Sequence, residues 1–157
     1  MPEQDVNRLI QMLDDARARM LAALKDIDPN TPVYPEGGWL VRDIVGHVAL
    51  WDEQVCLSLQ AYRQGGEYCI PNFSDDEDAY NNRDVLERRR QSVEQVFADF
   101  EAARAKMKAL IEALPPGQTS SVILCPWGSR HTIATMIRHM AEHELEHCRD
   151  IEGISRR

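Results

Sequence analysis

At 157 residues, 43% apolar and 28% charged, the chain has the make-up of one soluble globular domain spanning residues 1–157, long enough to bury a real core. A formal charge of −8 removes the electrostatic attraction behind most nucleic-acid binding, and the amino terminus MPEQDVNRLI lacks the cationic and apolar segments of a signal peptide. No stretch is long and uncharged enough to span a bilayer, so the expectation is a cytoplasmic protein with neither nucleic acid nor membrane as partner.

Val6, Leu9, Ile10, Leu13, Ala16, Met20, Leu24 and Ile27 recur at three- and four-residue spacing, which predicts a first helix of about 25 residues with one inward stripe. DPNTPVYPEGG must end it, because its three prolines and two glycines suit neither helix nor strand interior. A second helix is expected from Gly38 or Trp39, carrying Leu40, Ile44, Val48, Trp51, Val55, Leu59 and Tyr62 on one side until RQGGEY. The acidic SDDEDAYNN reads as a loop into a third helical element, from Val85 to Leu114. Ser92 with Gln95 resembles a capping box, a place for that element to break. The basic run RRR at 88–90 reads as a solvated helix face.

Beyond LPPGQ, residues 121–125 suit a short extended piece with no evident strand to pair with. Thr132 then caps a fourth helix running to about Gly153. Amphipathic helices in this order predict an all-α fold, a four-helix bundle with long crossover connections. Cys56, Cys69, Cys125 and Cys148 form no Cys-x-x-Cys pair, which predicts free thiols and no thiolate metal site.

The last helix contains HELEH. With its core face set by Ile133, Met136, Met140, Ile151 and Ile154, both His143 and His147 project within about 50° of the centre of that face. Residues i and i+4 have Cβ atoms roughly 6 Å apart, so two such imidazoles can share one ion. His47 offers a third from the second helix. Three inward imidazoles without partners are costly, and a shared cation satisfies all three. His139 lies about 12 Å along the axis from His147, too far to share the ion, and is expected to be structural or to support the ligands. His131 falls in a loop with no role assigned.

The spelling also fits a zinc peptidase, but its third ligand has no chain left to carry it. The positions where an extended motif needs Gly and His hold Asp150 and Gly153. Glu144 and His147 form one Glu-x-x-His unit of a di-iron bundle, yet the second unit is missing because Ile44 precedes His47 at three residues.

With these residues in place the chain resembles the DinB-like superfamily of metal-binding four-helix bundles. GWLVRDIVGHVALWDE looks like its second-helix motif and HTIATMIRHMAEHELEHCRDI like its last-helix motif. The resemblance implies His47, His143 and His147 as metal ligands and a homodimer. It also implies reactions of the kind known among members, which are thiol-dependent transfers, isomerisation or hydrolysis.

Three neutral nitrogen ligands leave a divalent cation with an open position, where it can acidify water or a low-molecular-weight thiol cosubstrate. Imidazole ligation suits zinc, nickel or iron. The functional expectation is therefore a metal-dependent transferase or hydrolase acting on a small electrophilic substrate. Its rival is a non-catalytic stress-response bundle in which the ion is structural. Glu144, on the helix shoulder, is the candidate catalytic base or orienter, or else a solvated edge residue. Asp43 either orients His47 or is an exposed first-turn acid. Trp51 is core or pocket wall, and Cys148 a buried or edge thiol off the inward face.

Overall fold

The computed structural model describes residues 2–36 and 38–156, with side chains from residue 5 onward. Helix α1 spans Pro2–Leu24, α2 Val41–Arg63, α3 Glu77–Arg88, α4 Val93–Glu112 and α5 Ile133–Glu152. Strands β1 (Val122–Leu124) and β2 (Arg130–Thr132) form the small sheet. No described helix is long and apolar enough to cross a membrane. The fold is all-α, as the apolar stripes predict.

The first stripe is right in direction but too long. The helix stops at Leu24, and Asp26 adopts a left-handed φ of 63°, so Ile27 packs from outside it. The third element breaks at the predicted place. Ser92 Oγ accepts the Gln95 N–H at 3.1 Å and starts α4, while the Gln95 side chain turns to Asp99, so only half of a capping box forms. The acidic segment is less of a loop than its composition suggests. Asp76 caps the amino end of α3 by accepting the Ala79 N–H, and Glu77 to Asn82 are helical.

A partner strand for 122–124 does exist, immediately downstream: β2 pairs antiparallel with β1, Ile123 opposite His131. His131 therefore lies in a strand and not in a loop. The turn between them, CPWGS, has proline second and glycine fourth, and Gly128 takes a φ of 100° that only glycine adopts cheaply. Sequence alone missed this hairpin because each strand has only three residues.

Helix α1 packs mainly on α5 and α2 mainly on α4, with lesser contacts of α2 on α5 and α1 on α4 closing a ring. Chain neighbours α1 and α2, and likewise α4 and α5, thus sit diagonally across the bundle. Segments 25–40 and 113–132 are both crossovers. Phe100, Leu13, Met20, Ile44, Met107, Ile137 and Met140 are among the buried side chains that fill the interior.

The RRR run departs from expectation. It forms the corner between α3 and α4, and only Arg90 is largely solvated. Arg88 is mostly buried among Glu53, Asp84 and Asp99, and Arg89 pairs with Asp43 at 2.6 Å. Arg88 can lie against α2 because Gly46 has no side chain: a Cβ there would stand 2.9 Å from Arg88 Cδ. That gap directly precedes His47.

Candidate metal centre

The first two turns of α2 and the last three of α5 face each other and bring three imidazoles together. His47 Nε2 and His147 Nε2 each stand 3.1 Å from His143 Nε2, and the possible ligand atoms of all three residues lie within 4.8 Å of one another. Two nitrogens each 2.0–2.1 Å from a tetrahedral zinc are about 3.3 Å apart, so the spacing fits a shared ion. None of the three Nδ1 atoms has a hydrogen-bond partner among the described residues. A ring tautomer with its proton on Nε2 can donate to a neighbouring Nε2, but such contacts leave the Nδ1 atoms unpartnered, whereas a shared cation accepts the Nε2 lone pair of all three rings at once.

Burial, reinforced by the neighbouring imidazoles, pushes His47 down to about 2 and His143 down to about 3. His147 is lowered too, chiefly by burial. All three are neutral near pH 7, the state a metal ligand requires. An imidazole whose folded pKa lies below its unfolded value of about 6.5 contributes stability that is complete above that value and is lost as the pH falls toward the folded one. Metal-free protein is therefore expected to lose on the order of 1.4 kcal/mol per pH unit for each such histidine below pH ~6.5. Urea titrations between pH 7.5 and 5.5 check this: a midpoint independent of pH, or a slope left unchanged by His143→Gln, contradicts it.

The surroundings of the ligands were only partly legible. Asp43 is neither an exposed acid nor a partner of His47. It is 3% exposed, accepts the Leu40 N–H at 2.8 Å and takes its charge partner from Arg89. The carboxylate that does face a ligand is Asp150, whose Oδ2 lies 4.0 Å from His147 Nδ1 and accepts the Tyr34 hydroxyl at 3.0 Å. Trp39 packs on His47 with ring centroids 4.8 Å apart. Two adjacent asparagines of α3 pin the tryptophans on this side: the Trp51 indole N–H donates to Asn81 and that of Trp39 to Asn82, each at 3.0 Å.

Glu144 is not a solvated shoulder residue. It is fully buried, with Arg17 Nε 2.7 Å from one oxygen and Arg104 Nη1 2.8 Å from the other. Arg104 and Arg17 also reach Asp52, at 3.0 and 3.5 Å. The result is a charge-balanced quartet with one member from each of α1, α2, α4 and α5. Cys148 is buried off the ligand face, as expected, and all four cysteines are free.

A cavity of about 300 Å³ opens onto His47 and His143. Trp51 is both core and wall: it is 7% exposed and lines this cavity with Phe73 and Trp127. His139 lines it too, exposed, its ring 4.9 Å from Trp127. Phe73 and Trp127 come from two connecting segments tied together by the Ile70 N–H donating to the Pro126 carbonyl at 2.8 Å. No sequence periodicity marks either of them.

A sequence profile of the DinB superfamily matches residues 12–151, nearly the whole chain and all three histidines. The chain belongs to the DinB superfamily. Solved structures agree on the DinB-like fold. A protein of Escherichia coli superposes with a TM-score of 0.78 at 15% identity over 96% of this chain and 92% of that one. A protein of Streptococcus pneumoniae gives 0.75 at 11% identity over 96% and 90%. A mycothiol-dependent maleylpyruvate isomerase gives 0.75 at 13% identity over 93% of this chain and 60% of the isomerase, so the DinB-like domain spans about three fifths of that enzyme. At these identities the likeness is one of fold. No curated protein is similar enough in sequence to count as a relative.

Proposed function

We propose that this DinB-superfamily protein is a metal-dependent enzyme acting on a small electrophilic molecule, with a divalent cation held by His47, His143 and His147. The observation that carries the reading is the convergence of three neutral imidazoles, His47 buried and His143 and His147 partly buried, two of which, His47 and His143, open onto a cavity wide enough for a small molecule. When bound, a cation with three nitrogen ligands and an open position supplies Lewis acidity toward water or a thiol. Among the described residues no further His, Cys, Asp or Glu joins the cluster, which favours this over an ion closed off for purely structural use.

The protein's own residues have defined tasks in this scheme. His47 and His143 face the cavity, and Trp51, Phe73 and Trp127 line its sides with apolar surface. No cysteine lines the cavity. Burial raises the Cys56 thiol to about 12 and those of Cys125 and Cys148 to about 11, so all three stay protonated. A thiol reaction here would use a low-molecular-weight donor, in line with the mycothiol dependence of the isomerase that shares the fold.

In this reading Asp150, 4.0 Å from His147 Nδ1 and too far for a hydrogen bond, acts on that ring through its charge, with the Tyr34 hydroxyl donating to the carboxylate. Asp150→Asn is expected to weaken metal binding by about tenfold, within the usual range for outer partners of ligating histidines. Competition titration against a chromophoric chelator measures it, and an unchanged affinity removes Asp150 from the site. The function itself is tested with metal-loaded protein offered electrophiles together with mycothiol, bacillithiol or glutathione. Consumption of electrophile that requires the metal supports the proposal. Stoichiometric metal with no turnover of any pair, and a fourth protein ligand closing the ion, would favour the structural rival.

A further inference from the structure

The cavity above the histidines has a distinct chemical gradient. Its inner end is His47 and His143, its sides are Trp51, Phe73, Trp127 and Met140, and its outer end carries Glu77, Asn81 and His139. The aromatic sides are held in place by their own contacts. Trp51 meets Phe73 edge-on at 5.0 Å and Trp127 at 6.4 Å, and its indole N–H is already committed to Asn81 Oδ1. These sides suit a flat apolar body, and about 300 Å³ lies at the lower end of small-molecule sites, enough for one compact molecule.

Charge is the second discriminator. No lysine or arginine lines this cavity, and the one formal charge on its lining is the Glu77 carboxylate, which makes no ion pair among the described residues. Glu77 opens α3, and its neighbours Asp75, Asp76 and Asp78 lie off the cavity lining, so Glu77 is the carboxylate a bound molecule would meet. Arg88, farther along α3, is neutralised by Glu53, Asp84 and Asp99. An anionic group at the outer end would be repelled by Glu77 and would find only the neutral donors of Asn81 and His139, with no cationic side chain on the lining. An ammonium group would meet a carboxylate beside electron-rich ring faces.

Resting on the metal-site reading above, we infer that the substrate is a small planar molecule that places its reactive, metal-seeking end at His47 and His143 and a cationic nitrogen at the mouth, and that Glu77 is the residue that selects it. Glu77 touches neither the ligands nor the reacting end, and it is exposed, so its replacement leaves the fold and the metal site intact.

The test uses full-length protein reconstituted with zinc and three benzohydroxamates, whose hydroxamate binds the metal and whose para substituent is aminomethyl, methyl or carboxylate. Binding is read by quenching of tryptophan fluorescence and by calorimetry. The aminomethyl compound is expected to bind about tenfold more tightly than the carboxylate. Glu77→Gln should bring that ratio close to one and Glu77→Lys should reverse it, whereas Asp78→Asn, one residue on and off the cavity lining, should leave it in place. Zinc-dependent binding with no order by charge, or an order that survives Glu77→Gln, overturns this inference and leaves the metal site standing. Absence of any zinc-dependent binding overturns both.

Discussion

Arg104→Ala is expected to lower the unfolding free energy by about 3–5 kcal/mol, the cost of leaving buried carboxylates without their cation. The residue is 4% exposed and its guanidinium serves both Asp52 and Glu144, each fully buried. Arg17 alone cannot compensate, because its Nη2 reaches Asp52 only at 3.5 Å while its Nε is committed to Glu144. Domains of ordinary stability have only about 5–15 kcal/mol in total, so the variant should melt roughly 10 °C below the parent. Removing Glu144 as well should cost less than the sum of the two single changes, because the second deletion takes away a charge the first had stranded. Calorimetric unfolding of the two single variants and the double variant gives the comparison. An Arg104→Ala protein within 1 kcal/mol of the parent, or strictly additive losses, would show that the quartet is not a coupled unit.

The quartet also changes the standing of Glu144. Its place beside His143 in the sequence makes it a candidate base, but the fold commits both of its oxygens to arginines and leaves it off the cavity lining. We propose that it fixes the register of α5, and with it the spacing of His143 and His147, against the other three helices. On this view Glu144→Gln lowers stability and loosens metal binding together, whereas a pure base would leave metal content untouched.

His143→Ala is the second large effect. His143 Nε2 is the one nitrogen within 3.1 Å of both of the others, so its loss leaves His47 and His147 with no ring between them. Protein purified without an affinity tag should carry one equivalent of transition metal in the parent form, and affinity should fall by at least a hundredfold in the variant. Elemental analysis and chelator competition decide this. Unchanged metal content in His143→Ala, or no stoichiometric metal in the parent, would defeat the proposed centre. Below pH ~6.5 the stability of metal-free protein should fall less steeply with pH in the variant than in the parent, since the variant lacks a buried imidazole that resists protonation. The metal-free variant should consequently tolerate mild acid better than the metal-free parent.

Several features were open to sequence reasoning because they are local. Helical stripes repeat within one element, so the major helices and the inward direction of His47, His143 and His147 follow from residue spacing. Ser92 and Thr132 cap helices through hydrogen bonds to residues three positions on, and each side chain does so. The order of long helices and long connections likewise sufficed for the fold class.

What the sequence did not determine is who meets whom. Asp43 stands one turn before His47 yet pairs with Arg89, while Asp150, three residues after His147, is the acid that reaches a ligand. Arg88 and Arg89 look like a solvated run until the α3–α4 corner folds them onto α2. Arg17, Asp52, Arg104 and Glu144 carry no shared pattern, because each is placed by a different helix and their mutual distances exist only once four helices have packed. The cavity has the same origin, assembled from α2, α3, α5, the segment before α3 and the tip of a hairpin. Periodicity records which face of a helix turns inward. The choice of partner for a buried charge, and the shape left between elements, depend on crossovers that bring distant residues within a few ångströms, and only the tertiary structure contains those distances.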